Sequence, residues 1–218
     1  MLNEQSHQRL RSLSVPIVAQ ALDELGLVLE FAPGFNPLGA GTPIVGTAIT
    51  MRVTNTDQER QGGYAHLAAA LEAAHSVYAP VLIIQSPDVN GATWDIVNAT
   101  AAHQRGVPCA IVDGAVRDVH DMQSLGFSVF APRVTPWPAA RRVDSVSFNQ
   151  PVHIGGEEVT FRDIIMADIH GIIVVPEQSV NEVLKRAELI REQRNRILDA
   201  IRAGTPYGDV TRSLKQGP

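Results

Sequence analysis

The stretch Val107-Pro-Cys-Ala-Ile-Val-Asp-Gly-Ala-Val-Arg-Asp-Val-His120 decides how this chain is read. Its apolar run Pro108–Val112 suits a strand buried on both faces, Asp113-Gly114 turns the chain, and Val119–Leu125 reads as a short helix stopped by Gly126. A buried strand that ends in a glycine turn is where α/β proteins place their sites. Here that place carries Asp113, Arg117 and Asp118.

Working outward, the upstream segments repeat the same punctuation. Val81-Leu-Ile-Ile suits another doubly buried strand, Ser86–Gly91 a loop, and Trp94–Gln104 an Ala-rich helix that Gly106 stops. Before it, Tyr64–Ser76 favours a helix, Asn55–Gly63 a polar loop, and Ile44–Val53 a β-branched strand. Val15–Leu27 reads as an amphipathic helix with Ser14 as its cap, Pro16 in its first turn and Gly26 at its end. It lies in an N-terminal helical segment, residues 1–30, followed by a Pro/Gly-rich stretch over Pro33–Pro43.

Downstream, Ser128–Ala131 is one more strand, after which the pattern changes. Val143–Val146, Val152–Ile154, Glu158–Phe161 and Ile172–Val175 are short, broken by Gly155-Gly156, Asp163 and Gly171, and look antiparallel. A long terminal helix over Glu177–Ala203 ends at Gly204 and Pro206, leaving a polar tail. The expectation is one α/β domain over residues 1–218 with a long C-terminal helix.

Composition excludes several classes. With 18 Lys+Arg against 23 Asp+Glu and a net charge of −5, there is no field to hold a polyanion, so nucleic acid is not the expected partner. No segment offers the roughly 20 apolar residues of a membrane span, and Met1–His7 lacks the core of a signal peptide, which predicts a cytoplasmic protein. The lone Cys109 excludes an internal disulfide and sits in an apolar run that suits an inert thiol.

Arg117 offers a planar fork for a carboxylate, and Asp118 a hard oxygen for a divalent cation, which together suit a substrate that is both acid and carbonyl. The plainer alternative is that the two pair with each other or cap the following helix. Asp113 has its own plain role in an Asp-Gly turn. The seven histidines show no HxxxH or HExxH spacing, His120 reads as an exposed helix residue, and nucleophile-elbow, phosphate-loop and dinucleotide fingerprints are missing.

Most of the chain resembles the RraA-like family, which joins regulators of ribonuclease E activity to 4-hydroxy-4-methyl-2-oxoglutarate/4-carboxy-4-hydroxy-2-oxoadipate aldolases and is often labelled dimethylmenaquinone methyltransferase-like. The resemblance runs through Val18-Ala-Gln-Ala-Leu-Asp-Glu-Leu-Gly, Gly46-Thr-Ala-Ile-Thr, Ala92-Thr-Trp, Arg105–Asp118, Gly126-Phe-Ser-Val-Phe-Ala, Pro151-Val-His-Ile-Gly-Gly and Asp168-Ile-His-Gly-Ile-Ile-Val-Val-Pro. Its specific part is Asp113-Gly-Ala-Val-Arg-Asp118.

The resemblance implies an α/β/β/α sandwich like the swivelling phosphohistidine domain, built into homotrimers or hexamers with sites between subunits. It implies that Arg117 binds a pyruvoyl substrate, that Asp118 ligates Mg²⁺ or Mn²⁺, and that the activity is class II aldol cleavage with oxaloacetate decarboxylation beside it. The family's Gly-acidic turn, whose amides face substrate and whose carboxylate supports metal-held water, falls at Asp95 and Ile96, with Val97 next. Either Asp95 takes the acidic role after a one-residue shift, or that shell is incomplete. Such a change also fits a non-catalytic regulator of the ribonuclease E inhibitor type. Ala79-Pro80 stands where the family prefers Gly-Asp, and Arg162 where it has Gly; both read as turn or surface changes. Residues on the substrate side are expected from the Asn55–Gly63 loop and a neighbouring subunit.

Overall fold

Four consecutive buried residues, Val81 to Ile84, face two different cores: Leu82 and Ile84 one way, Val81 and Ile83 the other. That period-two split is what a strand covered on both faces must show. The computed structural model describes residues 1–27, 34–39, 43–56, 65–87, 89–139 and 142–215. The Asn55–Gly63 loop lies mostly outside those residues.

The chain opens with α1 (Glu4–Arg11) and α2 (Val15–Glu24), then β1 (Asn36–Pro37), β2 (Ile44–Asn55), α3 (Ala65–Ala73), β3 (Pro80–Gln85), β4 (Ala92–Trp94) and α4 (Ile96–Gln104). It continues through β5 (Cys109–Asp113), β6 (Ala115–Val116), α5 (Val119–Leu125), β7 (Ser128–Ala131) and β8 (Arg133–Val134). The second half holds β9 (Val143–Phe148), β10 (Val152–Ile154), β11 (Glu157–Val159), β12 (Ile164–Asp168), β13 (Gly171–Val175), α6 (Val180–Arg202) and α7 (Tyr207–Lys215).

The main sheet has eight strands, with β7-β5-β3-β2 parallel at its centre. β2 is long enough to use its other edge twice, pairing antiparallel with β12 over Ile44–Thr47 and with β9 over Met51–Asn55. The sheet is nearly closed, and three cores fill the layers. One lies under α3, α4 and α5, and contains Leu82, Ile84, Ala110 and Val112. The central one lies between β3/β5 and β12/β13, holding Val81, Ile83, Cys109, Ile111, Ile165 and Val174, and the β10–β11 hairpin inserts Val152, Ile154 and Val159. The third joins the other face of β12 and β13, through Met166 and Val175, to α1, α2 and the first half of α6. These are the α/β/β/α layers expected. Burial in the central core pushes the Cys109 thiol pKa up, which keeps it inert.

Several elements differ from the sequence reading. Residues 4–11 form a helix closed by a capping box, with Asn3 Oδ1 accepting from Ser6 N and Ser6 Oγ from Asn3 N. The helix expected from Trp94 starts at Ile96, because Ala92–Trp94 pairs with β6 as a strand. Ile164–Asp168 is a full strand, and the polar tail forms α7, which packs on α6. Gly114 is required by contact, not by a left-handed turn: a Cβ there would sit 2.4 Å from Ser86 Oγ and 2.9 Å from Ser86 O. Among the described residues no helix is long and apolar enough to cross a membrane.

Candidate active site

A second, three-stranded parallel sheet is built from β4, β6 and β8, each only two or three residues long. Its C-terminal ends present the candidate residues. β4 runs into Asp95, β6 runs into Arg117 and Asp118, and Arg117 N donates to Trp94 O at 3.1 Å, which locks the two ends side by side. Ser86 underlies the arrangement: its Oγ lies 2.9 Å from Thr93 Oγ1 and its N donates to Asp113 O at 3.0 Å.

Asp95 is the N-cap of α4. Its Oδ1 accepts from Val97 N and Asn98 N, both at 3.1 Å, while Oδ2 pairs with Arg117 Nη2 at 3.1 Å. Both oxygens are therefore engaged, one by the helix and one by the guanidinium. Asp118 behaves differently. It occupies the N-cap position of α5 with φ 58° and ψ 36° and makes no side-chain cap bond. Its Oδ2 turns back instead, 3.5 Å from Arg117 Nε and 3.5 Å from Ile96 N. An aspartate held in the left-handed region, with its carboxylate not spent on the cap, marks stored strain. Arg117 Nε is buried and has no hydrogen-bond acceptor among the described residues.

The remaining expected positions fall nearby with unequal exposure. Ile96 packs its side chain against the first core, and Val97 leaves 70% of its surface exposed one residue beyond the cap. Asp113 is turned away from the cluster, accepting from Gly155 N at 3.2 Å and tying β5 to the β10–β11 hairpin. His120 is exposed on α5. Asp95, Arg117 and Asp118 thus converge with the α4 N-terminus, whose first amides already donate to the Asp95 and Asp118 carboxylates. Among the described residues no group of three or more His, Cys, Asp or Glu side chains converges on a metal position.

Sequence reasoning missed β8 and the turn after it. Thr135 N donates to Val116 O at 3.0 Å and Trp137 O accepts from Ala92 N at 2.7 Å, so this turn closes the small sheet. The readable signal was a tryptophan set between Pro136 and Pro138.

The family model described as RraA-like, aldolase/RraA, matches residues 15–174. The chain belongs to the RraA-like family. A putative 4-hydroxy-4-methyl-2-oxoglutarate aldolase of Halalkalibacterium halodurans is 27% identical over 179 residues, covering 82% of this chain and 80% of that protein. Two solved structures share the fold. One is an uncharacterized protein of Pseudomonas syringae, with TM-score 0.82 and 22% identity over 97% of this chain and 95% of that one. The other is RraAS2 of Streptomyces coelicolor, described as an unusual member of the RNase ES inhibitor RraA family, with TM-score 0.78 and 20% identity over 93% and 100%.

Proposed function

We propose that this RraA-like chain is a class II lyase that cleaves a 4-hydroxy-2-oxo acid to pyruvate and a carbonyl compound, with oxaloacetate decarboxylation as a side activity. The observation that carries this reading is Asp118: a carboxylate at a helix start that does not cap the helix, kept in a strained conformation beside Arg117. A carboxylate used only as a cap would bond the first-turn amides, as Asp95 does.

The donor set suits Mg²⁺ or Mn²⁺, since such ions are commonly held by one or two carboxylates together with water and substrate oxygens. Asp118, 30% exposed at its side chain, is the residue that would hold the ion, which when bound supplies Lewis-acid stabilisation of charge on the 2-oxo group. Arg117 binds the substrate's acid function and adds fixed positive charge where negative charge develops as the carbon–carbon bond breaks. Asp95 holds Arg117 in place while fixing the α4 N-terminus, whose Ile96 and Val97 amides border the same space. We further propose a cytoplasmic homotrimer or hexamer, tested by light scattering, with a monomer at micromolar concentration as the result that removes it.

The decisive assay is pyruvate release over a panel of 2-oxo acids with Mg²⁺, Mn²⁺ or EDTA. Asp118→Ala should abolish Mn²⁺ binding in calorimetry, whereas Arg117→Ala should retain it and lose turnover. Wild-type Mn²⁺ binding and oxaloacetate turnover in both variants would remove the assignment. The RNase ES inhibitor description of the Streptomyces coelicolor structure gives the second reading, a protein-binding regulator, favoured by the engagement of both Asp95 oxygens. A parent without metal-dependent pyruvate release would leave that reading standing.

A further inference from the structure

The small sheet borders an open cleft of about 440 Å³, whose lining includes Asn90, Ala115, Arg133, Val134, Thr135 and Trp137. Its size matches a site for a small organic molecule. The cleft adjoins the Arg117 cluster through backbone alone: Thr135 N bonds to Val116 O at 3.0 Å, the peptide immediately before Arg117.

Trp137 is pinned through its backbone and carries one guanidinium over its ring, yet most of it is uncovered. Its carbonyl accepts from Ala92 N at 2.7 Å, and the Arg142 guanidinium lies 5.4 Å from the ring centroid, but 61% of the residue is exposed. A large aromatic surface left bare beyond that contact costs hydrophobic free energy unless something covers it. Val134 beside it is also 57% exposed. Arg133 is the charged member of the cleft's described lining, and its Nη2 donates to Pro87 O at 3.2 Å, which holds the fork at the cleft. A flat aromatic platform next to a guanidinium selects a flat, acidic ligand.

We infer that this cleft is a binding site for an aromatic carboxylate, separate from the Asp95, Arg117 and Asp118 cluster, whose residues are not among its described lining. Its binding chemistry does not rest on the lyase reading above. Thr135 and Asn90 supply hydroxyl and amide groups for the polar edge of such a ring.

The test is calorimetric binding to the intact protein of benzoate, of cyclohexanecarboxylate, which keeps the charge but not the flat ring, and of benzamide, which keeps the ring but not the charge. Benzoate should bind at least about tenfold tighter than either, and Trp137→Ala and Arg133→Gln should each weaken it by about tenfold, or 1.4 kcal/mol. Benzoate should also bind undiminished in saturating pyruvate and Mn²⁺, because the cleft and the Arg117 cluster are separate sites. Equal binding of the three probes, survival of benzoate binding in both variants, or displacement by pyruvate would overturn the assignment. So would a fall in assembled mass on Trp137→Ala with benzoate binding unchanged, which would give the ring to a contact between copies. If benzoate shows the expected selectivity while no 2-oxo acid releases pyruvate, the lyase reading falls and the aromatic-acid site stands.

Discussion

The mixed eight-stranded sheet and the small parallel sheet of this protein are built to opposite rules. In the main sheet, β3 buries Leu82, Ile83 and Ile84 with at most 1% exposure, and the alternating residues feed two apolar cores. In the β4-β6-β8 sheet, strands of two or three residues end at Asp95, Arg117 and Asp118, and the region holds a left-handed aspartate and two buried donors without acceptors among the described residues, Trp94 Nε1 and Arg117 Nε. The first sheet supplies free energy and the second spends some of it on geometry. Stability and activity should therefore separate by sheet.

The largest expected effects expose that separation directly. Leu82→Ala should cost about 2–5 kcal/mol, read as a lower urea midpoint, because it leaves a cavity among close-packed neighbours. Arg117→Ala should leave the midpoint within about 1 kcal/mol of the parent, since its ion pairs are one-third exposed, while lowering oxaloacetate turnover by about 10²–10³-fold. If Arg117→Ala unfolds the protein as readily as Leu82→Ala, the small sheet is part of the stabilising core and the contrast is false.

Asp95→Asn comes next and separates the two jobs of one side chain. Asparagine caps nearly as well, so the α4 end should lose at most about 1 kcal/mol. One of the two charge partners of Arg117 is neutralised, however, leaving Asp118, and a residue that orients another at a site typically matters about 10–100-fold in activity. A loss of stability without loss of turnover would assign Asp95 to the helix alone.

How much of this was readable depended on which interactions are local. Residues 107–126 spelled out strand, turn and helix because apolar runs and glycine stops act within a few residues, and the same stretch named Arg117 and Asp118. The layers followed from the family resemblance more than from periodicity. β4 and β6 escaped because strands of two or three residues carry no period; their existence is set by pairing with distant segments, as Ala92 with Ala115 shows. The dual engagement of Asp95 was equally invisible, since Arg117 lies 22 positions away and nothing local announces the pairing. Within the helical segment expected over residues 1–30, α1 was not set apart as a helix of its own, although Asn3 and Ser6 form its capping box.

Smaller effects are expected at two positions that the sequence presented as harmless. Ala79 has φ 50° and Arg162 φ 79°, both left-handed, and both stand where the family is expected to carry glycine. They flank opposite edges of β2: Ala79 O accepts from Thr47 N at 2.8 Å on the β3 side, and Arg162 N donates to Ala48 O at 3.0 Å on the β12 side. Relief of the Cβ penalty, less the greater freedom of glycine in the unfolded chain, should make Ala79→Gly and Arg162→Gly each stabilising by about 0.5–1 kcal/mol. With β2 between the two sites, the double variant should gain close to the sum. Destabilisation by either change would show that the main sheet, too, has strain compensated by side-chain contacts, such as that of Arg162 with the Phe161 ring.

The smallest effect concerns how α1 is fastened to the main sheet. His7 Nε2 lies 3.0 Å from Val45 O, and its ring meets Tyr78 edge-on at 5.3 Å. Burial is the largest influence on this imidazole and lowers its pKa; the bond to Val45 works the other way, and the Arg11 charge adds to the lowering. The folded protein therefore takes up the proton less readily than the unfolded chain does. The sign follows: this contribution is fully present above the ordinary histidine value of about 6.5 and is lost as pH falls through the lower folded value. Urea midpoints at pH 7.5 and 5.5 should fall further for the parent than for His7→Gln, which keeps an N–H for Val45 and does not titrate. The depressed carboxyl of Glu188, held down first by its hydrogen bond to Arg9, loses its contribution only below the usual glutamate range, outside this window. An equal fall in parent and variant would mean that α1 stays in place through Leu2, Leu10 and its other apolar contacts whatever the charge on His7.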